Sequence, residues 1–294
     1  MAALQAMEGN STVMRWFSRA PVVPVLRLSG PIGLATPLRP GLSLSGVASA
    51  LDRAFSLSKH KAVAIAINSP GGSPVQSHLI FRRIRQLAEE RNKTVHVFCE
   101  DVAASGGYFL ALAGDEIYAD PSSIVGSIGV ISASFGMSKA IERLGIERRV
   151  YTAGGSKSFL DPFLPEQIED VERLKAVQRD VHDAFIGVVK ERRGQRLRGP
   201  DQELFSGAFW TGPKAQELGL IDGIGDMRSR LRSLYGETIR LRVVALAPGG
   251  LIGRLRRAPA LASELVSPPT LTSGIADDVI GAIEARALWS RYGF

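Results

Sequence analysis

The chain has 294 residues, 45% hydrophobic and 22% charged, which excludes wholesale disorder, a collagen-like fibre and a small disulfide scaffold. Its single cysteine, Cys99, excludes an intramolecular disulfide and a cysteine-based metal site. The net charge of +7 is concentrated in one stretch, residues 227–260. There Arg228, Arg230, Arg232, Arg240, Arg242, Arg254, Arg256 and Arg257 face one acid, Glu237.

The opening segment, MAALQAMEGNSTVMRWFSRA, has neither a compact apolar block behind a basic end nor the run of about 18 apolar residues of a membrane span. It reads as a loose tail over residues 1–20, with a helical tendency from Thr12 to Phe17, on a protein expected in the cytoplasm. Val22 to Leu28 is a short apolar run closed by Gly30, a first strand. Leu44, Val47, Leu51 and Phe55 share one side of a helix over Ser43 to Leu57. The continuous run AVAIAI, Ala62 to Ile67, suits a strand covered on both faces. It ends in NSPGGS, and Leu79, Ile80, Ile84 and Leu87 then stripe a helix over Val75 to Arg91. Thr94 to Cys99 is the next strand. DVAASGGYFLALAGDEIYAD follows as turn, helix and strand.

Ser127 to Ala133 reads as a further strand, Ser138 to Leu144 as a short helix, and Pro165 to Arg193 as a long one. Trp210 to Gly225 is dense in turns. The residues after Gly249 read as a loose extension with a helix near Ile275 to Leu288. Strand and helix alternating at this pace predict an α/β fold with a largely parallel sheet.

Two loops at strand C-terminal ends, the edge where such sheets bind ligands, carry the candidate chemistry. In Asn68-Ser69-Pro70-Gly71-Gly72 the paired glycines allow close backbone approach and present N–H donors. A plain strand-to-helix turn would look the same. In Ala103-Ala104-Ser105-Gly106-Gly107-Tyr108, small residues flank a serine at a strand-helix junction. This is the logic of a nucleophile elbow, with the next N–H facing a developing oxyanion. Serine is also a common helix N-cap, so the pair of loops is the stronger signal.

A serine nucleophile needs a base. Of His60, His78, His96 and His182, only His182 follows Ser105, and it sits on the long helix beside Asp183 rather than in a loop. Among eight lysines, Lys157 stands apart, because glycines, serines and aromatics surround it in Gly154-Gly155-Ser156-Lys157-Ser158-Phe159-Leu160-Asp161-Pro162-Phe163. A desolvated lysine can serve as a base.

On these motifs the sequence resembles the SppA-type signal peptide peptidases, serine peptidases with a Ser/Lys dyad on a ClpP/crotonase-like fold. The resemblance rests on VLRLSGPIG, NSPGGS, DVAASGGYFLALAGDEIYADPSSIVGSIGV, KSFLDPF and WTGPKAQELGLIDGIG, in the family's order over about residues 22–232. It implies a spiral of βαβ units, a peptidase domain over residues 21–245 and a basic, proline-containing extension over residues 246–294. It implies Ser105 as nucleophile, Lys157 as general base, the N–H groups of Gly72 and Gly106 as oxyanion hole, and substrate contacts at Gly71, Gly72 and Tyr108. No metal or cofactor is implied.

The expected partners are an extended, hydrophobic or unfolded peptide and further copies of the chain, in a higher homo-oligomer whose dyad can cross subunits. Two features depart from the family: no N-terminal anchor is visible, and Ser156 replaces the aromatic residue that often precedes the lysine. The arginine-rich region, with Leu251, Ile252 and Leu255 interleaved, offers contact with an anionic membrane surface. Aromatics amount to only 7% and do not alternate with the basic residues, so nucleic acid is not an expected partner. Two other readings of the same fold are a crotonase-type acyl-CoA enzyme and a non-catalytic peptide-binding assembly module.

Overall fold

The computed structural model describes residues 20–33, 41–154, 157–246, 283 and 286–293. All but the last residue of the expected tail over residues 1–20, Ser156 and most of the extension over residues 246–294, with Arg254, Arg256 and Arg257, lie outside them.

The central strands are apolar on both faces because both faces are covered. β1 (Val22–Ser29), β2 (Ala62–Ser69) and β3 (Thr94–Ala104) pair in parallel, with Val25 opposite Ala64 and Ala64 opposite His96. On one face Leu26, Leu28, Val63, Ile65, Ile67, Val95 and Val97 join the main core. It is covered by α1 (Leu44–Ser56), α2 (Pro74–Glu90), α3 (Gly106–Ala111) and part of α5 (Ile168–Arg193). On the other face the smaller set Val23, Val25, Ala62, Ala64, Phe98 and Tyr118 receives Leu231 of α8 (Met227–Tyr235). Ser43 caps α1 and Ser73 caps α2 through their hydroxyls, with Pro74 at the first turn, where its missing N–H is harmless.

The full sheet has eight strands, six of them in the order β6 (Phe209–Thr211), β5 (Ile124–Gly126), β3, β2, β1 and β8 (Arg240–Val244) among the described residues. β4 (Glu116–Ala119) and β5 (Ile124–Gly126) follow each other along one edge of β3. β6 (Phe209–Thr211) pairs antiparallel with β5. After α7 (Gly212–Glu217), β7 (Gly223–Ile224) pairs with β4, and β8 (Arg240–Val244) closes the far edge on β1. The α4 (Ser138–Arg143) and α6 (Asp201–Leu204) helices are single short turns. The α/β class with a largely parallel sheet is therefore present.

Some boundaries differ from expectation. The strand expected over Ser127 to Ala133 is displaced to Ile124–Gly126. Ser127 adopts φ 53° and turns its N–H to the Ala208 carbonyl at 2.7 Å, ending the ladder, and residues 131–137 are exposed. β3 runs on past Cys99 to Ala104, through a register shift opposite Ile67 and Ser69. Residues 286–290 are helical, and Trp289 and Tyr292 pack against Val102, Ala104 and Ile124, so this part of the expected loose extension is folded onto the sheet.

Candidate active site

The two candidate loops meet at the C-terminal ends of β2 and β3. Ser105 links β3 to α3 with φ 52° and ψ −121°, a conformation that costs a non-glycine residue about 1–3 kcal/mol. Its N–H donates to the Gly126 carbonyl at 2.8 Å and its carbonyl accepts from Phe109 N–H at 3.0 Å. The strained turn is therefore held by β5 on one side and α3 on the other. The hydroxyl caps nothing in α3 and the residue is half-buried.

Only glycines permit the loops to approach this closely. A Cβ at Gly71, where φ is +99°, would lie 2.8 Å from both the Gly106 nitrogen and Ser105 Cβ. A Cβ at Gly72 would lie 2.1 Å from the Ile32 carbonyl oxygen, and one at Gly107 would lie 2.4 Å from that of Ser69. Ile32 clamps the loop: its N–H donates to the Gly71 carbonyl at 2.8 Å and its carbonyl accepts from Ser73 N–H at 2.8 Å. Ser69, fully buried, accepts the Gly71 N–H on its hydroxyl at 3.2 Å. The N–H groups of Gly72 and Gly106 have no acceptor among the described residues, and Gly106 opens a helix, where the N–H has no partner in its own turn.

Gly71, Gly72, Ser105 and Gly106 are thus brought together. Tyr108 lies directly below in the core, fully buried, with its hydroxyl donating to the Leu220 carbonyl at 2.8 Å. Burial pushes that phenol well above its ordinary range. Its contact is with the scaffold, and it presents no surface to a peptide.

Lys157 is not in this cluster. It lies on an exposed turn, its N–H donating to the Gly154 carbonyl at 3.2 Å. Among the described residues no hydrogen bond joins it to Ser105. The turn belongs to an arm that is tied to itself: Arg148 bonds Asp161 at 2.8 Å, and Met137 N–H donates to the Pro162 carbonyl at 2.6 Å. The hydrogen bonds from Arg148 and from Phe163 N–H hold the Asp161 carboxyl below the usual range. The arm leaves Ile131, Phe135, Met137, Leu144, Ile146 and Tyr151 exposed.

His182 is held by the Ile128 carbonyl at 3.1 Å and does not bond Ser105. Cys99 is buried, and desolvation pushes its thiol up to about 12, so it offers no thiolate. Among the described residues no group of acids, histidines or cysteines could hold a metal ion. The supporting roles of Ile32, Ser69 and Gly126 were not evident from sequence. The SGPIG turn that positions Ile32 was the available signal.

The family model of Peptidase family S49 matches residues 88–237, which include both Ser105 and Lys157. A Na(+)/H(+) antiporter NhaA of Brucella abortus is 55% identical over 272 residues, 92% of this chain and 37% of the relative. The chloroplastic serine protease SPPA of Arabidopsis thaliana is 33% identical over 231 residues, 76% of this chain and 31% of the relative. The putative signal peptide peptidase SppA of Enterococcus faecium is 30% identical over 177 residues, 60% of this chain and 51% of the relative. The chain spans between about a third and a half of the length of these relatives. No helix among the described residues is long and apolar enough to cross a membrane. The chain belongs to Peptidase family S49.

Proposed function

We propose that the chain is a serine endopeptidase that hydrolyses extended or unfolded hydrophobic peptides, cleaved signal peptides among them, by a Ser105/Lys157 dyad. The observation that carries this reading is the strained Ser105 turn beside two unused N–H donors, those of Gly72 and Gly106. Ser105 Oγ attacks the scissile carbonyl carbon and its proton passes to neutral Lys157 Nζ. The oxyanion is received by the two N–H groups. Collapse of the tetrahedral intermediate expels the amine, which takes the proton from Lys157, and leaves an acyl-enzyme. Water, deprotonated by the same lysine, attacks the acyl carbon; the bond from that carbon to Ser105 Oγ breaks, Oγ takes the proton back from Lys157, and the acid product leaves. Gly71 and Gly72 line the path of the peptide backbone, and Tyr108 supports the serine turn from beneath.

The proposed dyad forms between copies of the chain. Lys157 is exposed and unbonded to Ser105 within one chain, and the arm that carries it exposes large apolar side chains, Phe135, Leu144 and Tyr151 among them. Such a surface fits a second copy better than water. The test is cleavage of an unstructured polypeptide by the wild type, Ser105→Ala, Lys157→Ala and a mixture of the two variants. Activity lost in each variant, partly restored in the mixture and rising toward alkaline pH is the expected outcome. Activity retained in Ser105→Ala overturns the assignment. A mixture that stays inactive while the wild type cleaves removes the intersubunit dyad.

A further inference from the structure

At the end of the sheet opposite Ser105, where α1 and α2 finish and β2 and β3 begin, lies an open cavity of about 310 Å³. That is the lower end of the range of ligand pockets, about 300–1,000 Å³. Lys59, Lys61, Arg91 and Lys93 line it with His60, and none of its lining residues is acidic. Lys59, Lys61 and Arg91 make no ion pair with another described residue, although Glu89 and Glu90 immediately precede Arg91 in sequence.

The bland account is that these cations serve the carbonyls of the two helix ends. Lys93 does so for the loop after α1: its ammonium donates to the Ser58 and His60 carbonyls, both at 2.7 Å. It has three donors, so one remains. The two helix C-termini together present about one negative charge, against four cationic side chains, which leaves an excess of about three. The cations act on one another, since burial and then Arg91 lower the pKa of Lys93, and burial and then Lys93 lower that of His60. His60 accepts the Ala62 N–H on Nδ1 at 3.2 Å, so in its neutral form the proton sits on Nε2, as a further donor.

We propose that this cavity is an anion site that takes a phosphate group, carried either by a soluble phosphate compound or by a lipid headgroup. Tetrahedral phosphate oxygens match several convergent N–H donors, and charge-assisted bonds of this kind are the strong ones. The site is separate from the peptidase centre. β3 spans the distance between them, and its 11 residues make about 36 Å at about 3.3 Å per residue. A lipid-held chain would therefore turn the Ser105 edge away from the surface.

The test uses the full chain, the triple variant Lys59→Gln/Lys61→Gln/Arg91→Gln, and a control triple, Lys175→Gln/Arg179→Gln/Arg198→Gln. The control removes the same charge at other exposed positions. Lys93 is left in place because its bonds hold the loop. Calorimetric titration with pyrophosphate and co-sedimentation with phosphatidylcholine vesicles, with and without phosphatidylglycerol, are read at low salt for all three proteins, after melting curves show that each is folded. The expected result is binding that the cavity triple weakens by about tenfold or more, with the control within about twofold of the wild type. Pyrophosphate binding without vesicle binding assigns a soluble ligand, and vesicle binding that needs phosphatidylglycerol and the cavity lysines assigns a headgroup. No binding of either probe by the wild type, or equal losses in both triples, overturns the proposal.

Discussion

Gly107→Ala separates two opposing effects whose sizes the structure decides. Gly107 is the second residue of α3, where alanine is favoured over glycine by up to about 1 kcal/mol. Against this, the new Cβ would sit 2.4 Å from the Ser69 carbonyl oxygen and 3.2 Å from its carbonyl carbon. Ser69 cannot yield easily, because it is fully buried at the end of β2 and in register with Ala103 of β3. Ordinary contact requires the two groups to move apart by about 1 Å or more, and overpacking of this kind costs about 1–3 kcal/mol.

Because the contact is with buried backbone, the cost falls in the upper part of that range, about 2–3 kcal/mol, and the clash wins by about 1–2 kcal/mol, a fall in Tm of about 2–8 °C for a chain of this size. The same displacement moves the neighbouring Gly106 N–H away from Gly72. A misplacement of about 1 Å in a reacting constellation lowers the rate by about 100-fold. Thermal melting and peptide cleavage are measured on the same preparation. A variant that melts at or above the wild-type temperature would falsify the view that backbone contact between the two loops is tight, whatever its activity.

Ser105→Gly releases the strained φ of 52° and loses no hydroxyl bond, so in chemical denaturation it should be more stable than Ser105→Ala by about 1 kcal/mol, the strain less the entropy of glycine; equal stability denies the strain. Asp222 pairs in two bonds with buried Arg193, at 2.8 and 3.1 Å. Asp222→Asn should destabilise by about 3 kcal/mol, the lower end for a buried pair because Asp222 keeps some exposure, and a loss below about 1 kcal/mol would mean the pair is screened. Burial raises the Asp222 pKa, but the bonds and charge of Arg193 outweigh it and hold the carboxyl below its usual range, so its contribution persists until the pH falls below about 4. The histidines act earlier. Burial lowers the pKa of His96 despite Glu116, and also that of His60; the unfolded chain binds their protons first, so stability falls as pH drops below about 6.5. Melting between about pH 7.5 and about pH 5 should show this slope, and His96→Gln should flatten it.

The parts of the fold legible in the sequence are those where burial alone dictates pattern. AVAIAI could be read as a central strand because both faces of β2 meet core, and alanines alternate with larger residues because one face is shallower. β8 was hidden by its composition. Arg240 and Arg242 alternate with Leu241 and Val243 in strand period, yet the arginines suggested a charged surface run. An edge strand tolerates charge on its open side, and both facts hold for the same residues. The strand expected over Ser127 to Ala133 fails because the β run ends at Ser127, whose positive φ is set by the Ala208 contact some 80 positions away in sequence.

The candidate site divides along the same line. The glycines and Ser105 were legible because close backbone approach demands small residues locally, whatever the tertiary context. Ile32 and Gly126, which hold those loops, were not, since their part depends on register between strands. Lys157 was singled out by its neighbours in sequence, but neighbours say nothing about which serine it meets. A residue that completes its site across a boundary between copies leaves no pairing signal within one chain. Its exposed position beside an apolar arm is what a chain built for assembly would present. Under the proposed function the pairing of Ser105 and Lys157 is a property of the assembly, and the mixed-variant assay reads it directly.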